Sequence, residues 1–173
     1  MRTGRWLVAA AAFLGIVPAS VRAAETAASD LAVEYSFNRI TNGDGLDMPL
    51  GLAVAFAANV SRRFGVVADV RWSHKSEADA SLDLTSFQAG PRLTLLSQSA
   101  TVYVQGVAGA TRASGAGSSV TKLSLMPGVG ADLKLTHTLA FRLGADLRAI
   151  FVEGENEKDL LVHAGLVWRW GGR

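Results

Sequence analysis

The segment Leu160-Leu161-Val162-His163-Ala164-Gly165-Leu166-Val167-Trp168-Arg169-Trp170 alternates in character almost without interruption. Leu160, Val162, Ala164, Leu166, Trp168 and Trp170 share one parity, and Leu161, His163, Gly165, Val167 and Arg169 share the other. Successive side chains of an extended strand point to opposite faces. One face is therefore an apolar stripe ending in two tryptophans, and the other is small, mixed and charged. A strand of this kind needs an apolar medium on one side and a polar, tightly packed space on the other.

The same pattern recurs upstream, with turn-like breaks between segments. Leu31, Val33, Tyr35 and Phe37 alternate with Ala32, Glu34, Ser36 and Asn38, before a loop at Thr41-Asn42-Gly43-Asp44-Gly45. Leu50 to Ser61 and Val66 to Lys75 follow, separated by Arg62-Arg63-Phe64-Gly65. From Ala80 to Leu96 the apolar parity slips by one near Thr85-Ser86, which predicts a β-bulge there. Thr101 to Arg112 is rich in Gly, Ala and Val at both parities and gives the weakest alternation. Ser114 to Ser119 reads as a flexible loop, Thr121 to Leu135 and Leu139 to Val152 alternate again, and Gly154 to Lys158 reads as the last loop. The count is eight strands of about ten residues or more, the length a tilted strand needs to cross a bilayer. No helical period competes with this reading after residue 30.

The first 23 residues are of a different kind. Arg2 and Arg5 precede an apolar run from Trp6 to Val17, too short to span a bilayer as a helix, and Val21-Arg22-Ala23 offers a small-x-small cleavage site. Residues 1–23 are expected to be a cleavable signal peptide and residues 24–173 the mature barrel domain. Cleavage removes three arginines and no acid, turning a net charge of +2 into −1. Nucleic acid is therefore not an expected partner. The chain has no cysteine, so an exported domain must be held by hydrogen bonds and packing alone.

Alternation by itself does not say which face is outside. A soluble lipocalin-like barrel binding a hydrophobic ligand would put the apolar face inward. Here the apolar parity carries large side chains and no charges through its middle, while the other parity is rich in Gly and Ala, as a crowded narrow interior requires. Aromatic residues fall near strand ends: Tyr35, Phe37, Trp72, Phe151, Trp168 and Trp170. That placement suits an aromatic girdle at a membrane interface. The expected fold is all-β, an eight-stranded antiparallel up-and-down transmembrane β-barrel.

The inward parity then gathers Glu34, Asp69, Arg71, Arg92, Asp132, Lys134, Arg142, Asp146, Arg148, His163 and Arg169. Isolated charges in such a space cost several kcal/mol each, so they are expected to pair in a structural ion-pair network that fills the lumen. A narrow pore is the alternative. A lipid-A-modifying enzyme is a third reading, for which Ser73 beside His74 is the residual candidate. His74, His137 and His163 have no metal-ligand spacing. Asp44 and Asp47, and Glu153, Glu155, Glu157 and Asp159, read as acids of two loops without the spacing of an EF-hand. No catalytic, cofactor-binding or metal-ligating residue and no cofactor is expected.

The signal peptide, the amphipathic strands, the stretch Gly144-Ala145-Asp146-Leu147-Arg148 and the ending Gly165-Leu166-Val167-Trp168-Arg169-Trp170-Gly171 resemble the small outer-membrane β-barrel domain family, which includes the OmpA-type membrane domain and opacity-type porins. The resemblance covers about residues 28 to 171. It implies location in the outer membrane of a Gram-negative-type envelope, with outer-membrane lipid as the surrounding partner; a monomer with a non-enzymatic structural role is the expectation from the motifs above. It also implies recognition of the closing strand by the outer-membrane assembly machinery through a terminal aromatic residue, here Trp170. Gly171-Gly172-Arg173 follow that residue, so the signal would stand slightly internal to the chain end.

Overall fold

The computed structural model describes residues 29–40, 46–77, 80–97, 99–115, 117–152 and 155–171. The expected signal peptide and its cleavage site lie outside them. The described residues form nine β-strands: β1 (Ser29–Ile40), β2 (Leu46–Met48), β3 (Leu50–Asn59), β4 (Phe64–Glu77), β5 (Ala80–Ser97), β6 (Ala100–Gly115), β7 (Ser118–Lys134), β8 (Leu139–Val152) and β9 (Glu155–Trp170). Each long strand pairs antiparallel with the next, and β1 pairs with β9 from Ser29↔Trp170 to Ile40↔Asp159, which closes a barrel.

Eight long strands make the wall, and the short β2 prolongs β3 along β1. Its register, Asn38↔Met48, is shifted by one from the Tyr35↔Leu52 register of β3, with Pro49 at the break. Proline has no N–H for the ladder, so the interruption falls where it costs least. The Tyr35 hydroxyl donates to the Pro49 carbonyl and ties the break down.

At one end the connections are short and built alike. Ser61 Oγ accepts from the Phe64 amide at 3.0 Å, and Thr136 Oγ1 accepts from the Leu139 amide at 3.0 Å. Each hydroxyl replaces a backbone acceptor that the turn cannot supply. At the other end the loops expected at Ser114–Ser119 and Gly154–Lys158 are mostly strand, and β4 and β5 meet in a third such connection. The registers Glu77↔Ala80, Gly115↔Ser118 and Val152↔Glu155 leave two residues in each connection. Two-residue hairpins favour positive φ, and Gly117 has a φ of 78°. Polar composition there marks strands that project past the membrane, not flexible loops.

The bulge expected at Thr85-Ser86 is absent. β5 keeps one register with β4 from Phe64↔Leu93 to Glu77↔Ala80. Leu84 simply points inward and is buried, so the apolar residue changes face while the backbone keeps its phase. The irregularity of β5 lies instead between Thr94 and Leu96, against β6.

The outside of the barrel is apolar on every side that the long strands supply. Val33, Val54, Val70, Phe87, Leu123, Leu147 and Val162 are all exposed, Leu123 to 70%. The inside holds Glu34, Asp69, Arg71, Asp132, Arg142 and Asp146 at 3% exposure or less. Small and apolar side chains fill the gaps between them, among them Ala55, Val67, Val107, Met126 and Leu161. A soluble barrel has the opposite arrangement, so the lipocalin-like alternative is excluded by the direction of the side chains. Such a continuous apolar exterior requires a lipid environment.

Candidate functional site: the charged lumen

The lumen is assembled from inward parities of all eight long strands, and its centre is two linked clusters. Arg142 on β8 donates through Nε and Nη2 to Asp132 on β7 at 2.7 and 2.9 Å, a bidentate pair between residues in direct register. Its guanidinium then reaches past the intervening β9 to β1, to Glu34 Oε1 at 3.3 Å and Asp30 Oδ1 at 3.1 Å. Arg169 donates to Asp132 Oδ2 at 2.6 Å from β9. A planar fork with five donors suits this many carboxylates at once.

The second cluster centres on Arg71 of β4. It donates through Nε to both oxygens of Asp69, at 3.1 and 3.0 Å. Its Nη2 lies 2.9 Å from Asp146 on β8 and 3.7 Å from Glu34. His163 sits between the same two acids, with Nδ1 2.7 Å from Glu34 and Nε2 3.3 Å from Asp146. Glu34 therefore belongs to both clusters. Arg148 forms a separate buried pair with Asp159, also in direct register, at 2.9 and 2.5 Å.

Neutral groups complete the packing. Arg92 donates to Gln105 Oε1 at 3.2 and 3.0 Å and approaches Asp30 at 3.5 Å. The Tyr103 ring lies beneath two guanidiniums, 4.2 Å from that of Arg92 and 5.1 Å from that of Arg142. Gln88 and Thr111 both donate to the Ser124 hydroxyl, at 2.8 and 3.0 Å.

These large side chains lie flat because the residue beside each is glycine. Gly144 is in register with His163, Gly128 with Asp146, Gly165 with Glu34 and Gly130 with Tyr103. A Cβ at any of the four would run into that neighbour. Thus, within the inward parity, glycine on one strand faces a large side chain on the next.

Among the expected lumen residues, Glu34, Asp69, Arg71, Arg92, Asp132, Arg142, Asp146, Arg148 and His163 are buried, and Arg169 is half-buried. Lys134 departs from the expectation. It has the inward parity, but as the last residue of β7 it stands exposed at the rim. Tyr35, Phe37, Trp72, Phe151, Trp168 and Trp170 all project from the outer face.

Sequence reasoning missed Asp30, Asp159, Tyr103, Gln88 and Gln105. Asp30 has the parity of Glu34 and lies one residue before the segment drawn from Leu31. Asp159 has the parity of His163 but directly follows the acids of the last loop in the sequence. Tyr103 and Gln105 were hidden by the weak alternation of β6. Ser73 and His74 are excluded as a pair. Ser73 is buried in the lumen, while His74 faces outward, its Nδ1 2.9 Å from Asp83 and its ring stacked on Trp72 at 5.7 Å.

Comparisons with known proteins agree with this architecture. The model of the outer membrane protein beta-barrel domain family matches residues 9–169. Comparison with curated proteins finds no match. Among solved structures, the chain is similar to Neisserial surface protein A (TM-score 0.67, 15% identity, covering 83% of this chain and 96% of that one). It is also similar to Ail, the attachment invasion locus protein of Yersinia pestis (TM-score 0.63, 18% identity, 84% and 99% covered). A third likeness is to the N-terminal barrel of Pseudomonas aeruginosa OprF (TM-score 0.54, 11% identity, 82% and 97% covered). At these identities the structural likenesses speak for the fold, and the family match covers most of the chain. The chain is therefore a member of the outer membrane protein beta-barrel domain family, and its place is the outer membrane.

Proposed function

We propose that this protein is a non-enzymatic, monomeric structural element of the outer membrane whose lumen is closed by its ion-pair network. The observation that carries the reading is the reach of Arg142. Its fully buried guanidinium joins carboxylates of β1 and β7 across the barrel interior. An ion crossing the lumen would have to separate these charges or squeeze past them, and each broken buried pair costs about 3–5 kcal/mol. Tyr35, Phe37, Trp72, Phe151, Trp168 and Trp170 serve as the aromatic girdle that sets the depth of the barrel in lipid. Trp170, at the end of β9, is the residue offered to the assembly machinery. The short turns and both described chain ends face the periplasm in this reading.

Conductance in planar bilayers tests the closed lumen. The refolded mature chain is expected to leave the membrane at its baseline at neutral pH in 1 M salt. Regular unitary steps that scale with protein added would overturn the closed lumen and favour the narrow pore.

A further inference from the structure

The turn end of the barrel opens into a cavity of about 680 Å³, lined in part by Arg62, Lys134, His137 and Trp170 at the lip and by Arg92 and Tyr103 deeper in. That volume is within the range of small-molecule sites, about 300–1,000 Å³. Its charge is lopsided. The acids in its wall are Asp30 and Asp132, and each already meets two arginines: Arg142 and Arg92 for Asp30, and Arg142 and Arg169 for Asp132. Arg62 and Lys134 form no ion pair among the described residues, and both are exposed.

A second feature of the same cavity is independent of the cations. Tyr103 lines it and is only 2% exposed, yet its hydroxyl has no hydrogen-bond partner among the described residues. A buried hydroxyl without a partner is costly, and its donor is unused. The deep end of the cavity thus offers one hydroxyl donor beside the Arg92 guanidinium, and the lip offers two free cations.

We propose that this turn-end cavity binds a small polyanion, a molecule with at least two clustered phosphate or carboxylate groups. One anionic group reaches inward to Arg92 and the Tyr103 hydroxyl, and another stays at the lip with Arg62 and Lys134. Charge-assisted contacts of this kind are about twice as strong as neutral ones. The two chemistries share oxygens of the same charge and differ in geometry, so both serve as probes.

Isothermal titration of the refolded full-length mature chain in zwitterionic micelles, with pyrophosphate and separately with citrate, tests the site. The expected result is one-to-one binding of at least one probe. It should weaken about tenfold or more in the Arg62→Ala/Lys134→Ala double variant, whose rim positions leave the buried network intact. Tyr103→Phe should weaken it too, and Arg39→Ala, at the opposite end of the barrel, should not. Binding of pyrophosphate alone assigns a phosphate ligand, and binding of citrate alone assigns a carboxylate ligand. The proposal is overturned if neither probe binds, if the double variant binds like the parent, or if Arg39→Ala weakens binding equally. Each variant is first shown folded by its unboiled gel mobility, so a loss of binding is not a loss of fold.

Discussion

The contact between Gly144 and His163 joins the two populations of lumen residue at the smallest scale. The imidazole occupies the space a Cβ at Gly144 would take, and it bridges Glu34 and Asp146 from there. Gly144→Ala must displace that ring, and overpacking of this kind costs about 1–3 kcal/mol. In a His163→Ala background the obstacle is gone, and the same substitution should cost much less. Urea unfolding of the four proteins in lipid vesicles measures the coupling. Equal cost in both backgrounds would mean that the glycine is not there to seat the histidine. A second residue-scale expectation concerns Arg142, whose three acids would be left buried together without it. Arg142→Ala should lower stability by about 3–5 kcal/mol, read as a lower urea midpoint.

At the scale of strands and hairpins, Gly117 and Gly106 make a contrast. Gly117 has a φ of 78° in a two-residue connection, so a side chain there is strained whatever space surrounds it. Gly117→Ala should cost about 1 kcal/mol. Gly106 has open space where its Cβ would be and needs no special φ, and Gly106→Ala should stay within about 0.5 kcal/mol of the parent. Thermal unfolding of the two variants side by side checks both.

The same scale shows how far the sequence could be read. Parity alone identified the eight wall strands, because a strand between lipid and a charged lumen has to alternate. It failed where that boundary condition lapses. Beyond the membrane, the Ser- and Glu-rich hairpin ends have water on one side, so they lose the apolar stripe and look like loops, as at Ser114–Ser119. Leu84 points into the lumen at the hairpin end, and its apolar character mimicked a change of frame. In β6, small residues on both faces blurred the parity that would have revealed Tyr103 and Gln105. A pair between adjacent strands, such as Arg142 with Asp132, was legible, but partners beyond the next strand were not. Arg142 meets Glu34 and Asp30 only because closure places β1 one strand beyond β8, with β9 between them, and no local spacing encodes that.

For the whole molecule, an apolar exterior around a hydrogen-bonded wall predicts a folded form that resists detergent. Unboiled in dodecyl sulfate, the mature chain should run at a mobility different from the boiled chain, and it should fractionate with outer membranes. Identical mobilities would contradict a closed barrel.

The seam between β1 and β9 also dictates an order of events. Its twelve residue pairs join the two ends of the described chain, so they form only after every intervening strand has been delivered. Until then any partial barrel carries two raw backbone edges and an incomplete set of counter-charges, since Glu34 and Asp30 on the first strand wait for Arg142 and His163 on the last two. Strand-by-strand addition is compatible with this closure, with the β1–β9 seam made last. Closing the seam neutralises the interior charges in the same step that erases the edges.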